Sequence, residues 1–114
     1  MPYINTTTNA KINTTAATEL TKAFGKAISI VSGKNESQLM LAFHDSVRMA
    51  FKGDEITPTV MLEVDLFGKS DAKELNALTE ELTKIVNEVL GISPDRIYVK
   101  YLEYSYWGVG GKNA

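Results

Sequence analysis

The sequence predicts an α+β domain in the order β-α-β-β-α-β, with a four-stranded mixed sheet and two helices on one face. Three observations carry this reading. First, the two halves repeat one pattern: a proline, an extended run, a helical run, a glycine, a five-residue linker and a second extended run. "PYINTTT" (Pro2 to Thr8) falls over "PTVMLEV" (Pro58 to Val64), Gly33 over Gly91, Leu39 over Ile97 and Phe43 over Tyr101. Second, Leu75, Leu78, Leu82, Ile85, Val86, Val89 and Leu90 recur at spacings of three and four, which is one apolar stripe on a helix. Third, "TVMLEVDL" and "RIYVKYL" alternate as strands do. Right-handed crossovers in two β-α-β units put both helices on the same side of the sheet.

Each element has local support. Pro2 is tolerated at the start of a strand. Ala17, Leu20, Phe24, Ala27, Ile28 and Val31 form the stripe of the first helix, with Thr14 or Thr15 as its cap and Gly33 as its stop. Gly25 weakens that helix from inside. "LMLAF" (Leu39 to Phe43) is apolar on both faces, as a strand covered on each side is. In the third strand Val60, Leu62, Val64 and Leu66 oppose Met61, Glu63 and Asp65. Asp71, with Glu74 three residues on, matches an N-cap and its capping partner, and Gly91 ends the second helix. Ile97, Val99 and Tyr101 oppose Tyr98, Lys100 and Leu102 in the last long strand. A single copy leaves one sheet face uncovered, with Met40, Ala42 and Met61 on it, so association with further copies is expected. The tail "YSYWGVGGKNA" either adds an edge strand to a neighbouring copy or packs on its own core.

Composition narrows the chemistry. The 114 residues, 44% hydrophobic and 23% charged, suit one domain over 1–114 with its own core. No cysteine is present, which rules out disulfides, zinc-thiolate sites and thiol nucleophiles. The net charge of −2 comes with no basic run, so neither nucleic acid nor an anionic membrane is an expected partner. The polar start has no apolar signal segment, and no run approaches the roughly 20 apolar residues that span a bilayer. A cytoplasmic location, or secretion without a signal peptide, is the expectation.

The candidate chemistry begins at Pro2. Methionine aminopeptidase generally removes an initiator Met1 when proline follows, and the chain then starts with a secondary amine. Elsewhere proline's nitrogen is an amide and no base. His44, Asp45 and Ser46 suggest a catalytic relay, but adjacent strand residues point to opposite faces and no nucleophile elbow surrounds them. Glu63 and Asp65 share a strand face yet lack a third ligand at matching spacing, so no metal is expected there. Gly108, Gly110 and Gly111 follow no strand-to-helix phosphate pattern.

Met1-Pro2, Gly33-Lys34, "MAF-KG" (Met49 to Gly53), Pro58, "FGK" (Phe67 to Lys69) and above all "ISPDRIYV" (Ile92 to Val99) resemble the tautomerase superfamily, in its macrophage migration inhibitory factor branch. The resemblance covers essentially the whole chain. It implies a homotrimer of wrapped sheets with a site at each subunit interface, no cofactor, and keto–enol tautomerisation of aryl pyruvates such as phenylpyruvate. It assigns Pro2 as the general base once Met1 is gone, and Lys34 as the cation that holds the substrate acid or keto oxygen and keeps Pro2 neutral. Phe67 is implied as an apolar residue whose backbone contacts the substrate, and Tyr98 as a substrate-binding wall of the pocket between subunits.

Departures from the pattern bear on the substrate. Lys100 stands where the branch usually has asparagine; it either grips a carboxylate or pairs with Glu103 or Asp65. Thr59 and Leu62 occupy the branch's CxxC positions, so its thiol-oxidoreductase chemistry is absent. Gly110-Gly111 replace the terminal "GW", and either Trp107 or Tyr106 closes the pocket. Two rivals accompany this reading. One is a non-catalytic trimer acting as a signalling ligand for a protein receptor. The other is decarboxylation or hydration of an unsaturated acid, which calls for arginines at the site; the chain has only Arg48 and Arg96.

Overall fold

The computed structural model describes residues Met1–Ala114. The long elements are β1 (Pro2–Thr8), α1 (Thr14–Ala27), β2 (Met40–His44), β3 (Val60–Phe67), α2 (Ala72–Leu90) and β4 (Ile97–Tyr104). A short hairpin, β5 (Gly108–Val109) and β6 (Lys112–Asn113), closes the chain. The sheet order is β2-β1-β3-β4. β1 runs parallel to β2 and antiparallel to β3, and β3 is parallel to β4. The two β-α-β halves therefore meet at the β1/β3 seam, and the repeat read in the sequence becomes an approximate two-fold in space.

Strand alternation decides which residues enter the core. Ile4 from β1 and Val60, Leu62, Val64 and Leu66 from β3 are buried. They meet Leu20, Phe24 and Ile28 from the first helical run and Leu78, Leu82 and Val86 from α2, in a core of 16 residues. Tyr101 points to the same side, its hydroxyl donating to the Leu75 carbonyl at 3.0 Å. The opposite face carries Tyr98 and Leu102, each more than half exposed, and Met40, 67% exposed. No helix is long and apolar enough to cross a membrane.

Three local expectations need correction. The cap of α1 is Asn13, not Thr14 or Thr15; its side-chain oxygen accepts from the Ala16 N–H at 2.8 Å. Asp71 does cap α2, accepting from the Lys73 N–H at 2.7 Å, but Glu74 does not return to it and binds Ser32 instead. β2 begins at Met40 and is an edge strand that pairs with β1 alone, not a central one, and none of its residues is buried. The tail forms its own hairpin about Gly110-Gly111. Gly33 (φ 80°) and Gly91 (φ 68°) hold matching left-handed turns after the two helical runs, a geometry that favours glycine. A Cβ at Gly25 would stand 2.5 Å from a Glu36 carboxylate oxygen, the movable end of an exposed side chain.

Candidate active site

The site is built where four chain segments end side by side. After α1 the chain makes a 3-10 turn over Ile28–Ile30 and reaches Val31, which is buried in the core. The Lys34 N–H closes back on the Val31 carbonyl at 3.0 Å. This turn sends the Lys34 side chain across the sheet, where its ammonium donates to the Phe67 carbonyl at 2.7 Å. The Phe67 N–H in turn donates to the Met1 carbonyl at 3.2 Å. Lys34, Phe67 and the chain start are therefore linked by consecutive hydrogen bonds through one backbone unit. Gly68 continues the set, its N–H donating to the Tyr104 carbonyl at 2.8 Å.

Beside this junction lies a cleft of about 670 Å³, lined by Pro2, Gln38, Met40 and Trp107 among others. The size falls in the range of small-molecule sites. Pro2 is buried and pairs with Leu66 across the β1/β3 seam. With Met1 attached, its nitrogen is an amide. The chain-end amine belongs to Met1 and lies 3.4 Å from Gln38 Oε1. Burial first, and then the Lys34 charge, hold this amine below its ordinary value of 8.0. Both causes disfavour the ammonium form. Lys34 has no carboxylate within ion-pair distance, since the four ion pairs use Arg48, Lys52, Arg96 and Lys100.

Tyr98 and Lys100 lie elsewhere in the chain, on the open face of β4. The Tyr98 ring meets Phe51 edge-on at 4.9 Å. Lys100 pairs with neither Glu103 nor Asp65: its ammonium stands 3.2 Å from Glu63, its register partner on β3. The Glu103 carboxylate accepts from the Ser70 N–H at 2.6 Å. Asp65 beside the pair is pushed up from the usual carboxylate range by burial and by Glu63, against the pull of Lys100. Of the sequence candidates, the fold brings Pro2, Lys34 and Phe67 together in one chain and leaves Tyr98 and Lys100 on the uncovered sheet face.

Trp107, not Tyr106, lines the cleft, packing edge-on against Tyr104 at 5.9 Å, while Tyr106 is 80% exposed. Gln38 and Met40 escaped the sequence reading as site residues. Met40 carried a signal as an apolar residue on the uncovered face; Gln38, in a linker with no periodicity, carried none. Asp45 serves structure, accepting from the Ile12 N–H at 2.8 Å. Arg96 is spent as well: its guanidinium donates to the carbonyls of Pro58 and Thr57 at 2.9 and 3.0 Å.

The family model described as macrophage migration inhibitory factor (MIF) matches residues 1–114. The fold is similar to MIF2 of Leishmania major, with a TM-score of 0.93 and 25% identity over 100% of this chain and 97% of that one. It is also similar to the migration inhibitory factor homologue of Prochlorococcus marinus, with a TM-score of 0.85 and 26% identity over 97% of both chains. A third similar structure is Pt0534 inactivated by 2-oxo-3-pentynoate, with a TM-score of 0.87 and 20% identity over 97% of this chain and 95% of that one. No curated protein matches the sequence.

Proposed function

The chain belongs to the macrophage migration inhibitory factor family, and from that premise we propose that it is a keto–enol tautomerase of aryl pyruvates, with Pro2 as its base after removal of Met1. One observation carries the proposal: a Lys34 ammonium with no carboxylate partner beside a chain-end amine that is held below its ordinary pKa at the wall of a cleft. A base must be neutral at working pH, and an ordinary α-amino group titrates near ~8. A proline amine is more basic still, so its pKa must be lowered. The partial burial and the lysine charge that act on the Met1 amine act in that direction on an amine one residue further in.

The reaction follows from these parts. The Pro2 nitrogen takes a proton from the carbon next to the substrate carbonyl; the C–H bond breaks, its electron pair forms the C=C bond, and the carbonyl π pair moves to the oxygen. Lys34 holds the carboxylate or the developing enolate oxygen, where a fixed cation is worth most. The proton then passes from the Pro2 ammonium to that oxygen, which completes the enol. Trp107 and Met40 offer the aryl ring an apolar wall. The exposed sheet face suits a homotrimer, in which Tyr98 and Lys100 reach the site of a neighbouring copy. There Lys100 arrives already paired with Glu63, which leaves Lys34 as the principal anchor for the acid.

The test is an intact mass measured beside an ultraviolet assay of phenylpyruvate ketonisation, with Pro2→Gly as control. Loss of one methionine, with activity that collapses in the variant, is the expected result. A processed chain that shows no ketonisation sinks the proposal and favours a receptor-binding trimer. A chain that keeps Met1 has no base at Pro2, and activity in that form also counts against the mechanism.

A further inference from the structure

We propose that Glu74 is a positioning residue for Lys34: through Ser32 it fixes the turn that aims the ammonium at Phe67 and the chain start. The inference rests on the reading of Lys34 given above and deepens it. Glu74 sits in the first turn of α2, where its spacing from Asp71 suits a capping partner. Its carboxylate leaves the helix instead. One oxygen accepts from the Ser32 N–H at 3.1 Å and the other from the Ser32 hydroxyl at 2.6 Å. Both carboxylate oxygens are thus used on a single residue, 42 positions earlier in the chain.

That residue is the pivot of the Lys34 turn. Val31 before it is buried, and Gly33 after it holds a left-handed conformation. The Lys34 N–H returns to the Val31 carbonyl. The turn is therefore held by the core on one side and by Glu74 on the other. Lysine has a flexible four-carbon stem, so the direction of its ammonium depends on how firmly its root is held. Charge-assisted bonds such as those to Ser32 are the stronger kind. Glu74 touches neither the cleft nor the substrate; it acts through Ser32 and Lys34.

The decisive readout is the titration of the chain-end amine by nitrogen-15 NMR in the full-length protein, compared with Lys34→Met. Removing a carboxylate acts on a nearby amine directly by lowering its pKa. Releasing Lys34 raises it. An upward shift in Glu74→Ala, in the same direction as in Lys34→Met, is therefore expected from positioning and opposite to the direct charge effect. Glu74→Gln keeps an acceptor for the Ser32 N–H and should leave the amine near its native value. Turnover of phenylpyruvate should follow, with kcat/KM lower by about tenfold in Glu74→Ala, chiefly through KM, and largely restored in Glu74→Gln.

A folded Glu74→Ala with an unmoved amine overturns the proposal, as does an equal shift in Glu74→Gln. Should Glu74→Ala not fold, Ser32→Ala removes the hydroxyl bond alone and must shift the amine upward; no shift overturns the idea. The titration needs no turnover. A protein without tautomerase activity but with the upward shift keeps Glu74 as the positioning residue and loses only the proposed reaction.

Discussion

At the scale of single residues, Lys34 carries the most consequence. Its ammonium has one strong partner, the Phe67 carbonyl, and no carboxylate. Lys34→Ala is expected to reduce kcat/KM for phenylpyruvate by about 10²-fold, the usual cost of losing a group that stabilises developing negative charge. The same substitution removes a nearby cation and is expected to raise the pKa of the Pro2 amine in the processed chain, so the acid limb of the pH–rate profile shifts to higher pH. An unmoved limb rules out Lys34 as a cause of the depressed amine. Asp54 gives a second test. Hydrogen bonds from Thr57 and Ile56, aided by Arg96, hold its carboxyl down to about 2 from an ordinary 3.8. A carboxylate with a depressed folded pKa contributes stability above its unfolded value, and that stability is lost as pH falls from 3.8 through about 2. Asp54→Asn is expected to flatten the acid side of the stability curve in that window. Denaturant melts at pH 5 and pH 2.5 measure it.

At the scale of elements, caps and core contacts decide stability. Asn13 supplies the side-chain acceptor at the start of α1, so Asn13→Ala is expected to cost about 1 kcal/mol in urea unfolding. Leu62 is fully buried at the centre of β3. Leu62→Ala removes its contacts and opens a cavity, at a cost of about 2–5 kcal/mol. Urea midpoints compared at equal slope report both changes. The capping signal lies in the sequence one residue before Thr14 and Thr15. A run of Asn-Thr-Thr offers three acceptors, and only the backbone angles at Asn13 (φ −76°, ψ 173°) select the residue that stands outside the helix. Glu74 shows the opposite case: its spacing from Asp71 is right for a capping box, but Ser32 offers it two donors from another part of the chain.

At the scale of the whole molecule, the exposed sheet face sets the expectation. Met40, Tyr98 and Leu102 stand more than half exposed on one side of the four-stranded sheet. A homotrimer that covers this face gives a solution mass three times the 12.5 kDa of one chain. Leu102→Asp places a charge in the covered surface and is expected to yield single chains in sedimentation equilibrium. If Tyr98 and Lys100 serve a neighbour's cleft, the same variant loses ketonisation although Pro2 and Lys34 are untouched. A fully active single chain contradicts the composite site.

The sequence by itself determined the order of the long elements, the alternating faces of β3 and β4, and the family to which the chain belongs. These depend on periodicity and on contiguous motifs, which are local properties of the chain. It also pointed to Pro2 and Lys34, because the second residue and the turn after the first helix are recognisable without coordinates. Only the tertiary structure decided that Lys100 pairs with Glu63, that Trp107 and not Tyr106 lines the cleft, and that Gln38 faces the chain start. Each of these joins residues 37 or more positions apart, or depends on which way a tail folds back. The reason is physical: such pairings follow from strand register and from the packing of distant segments, and no local spacing encodes them.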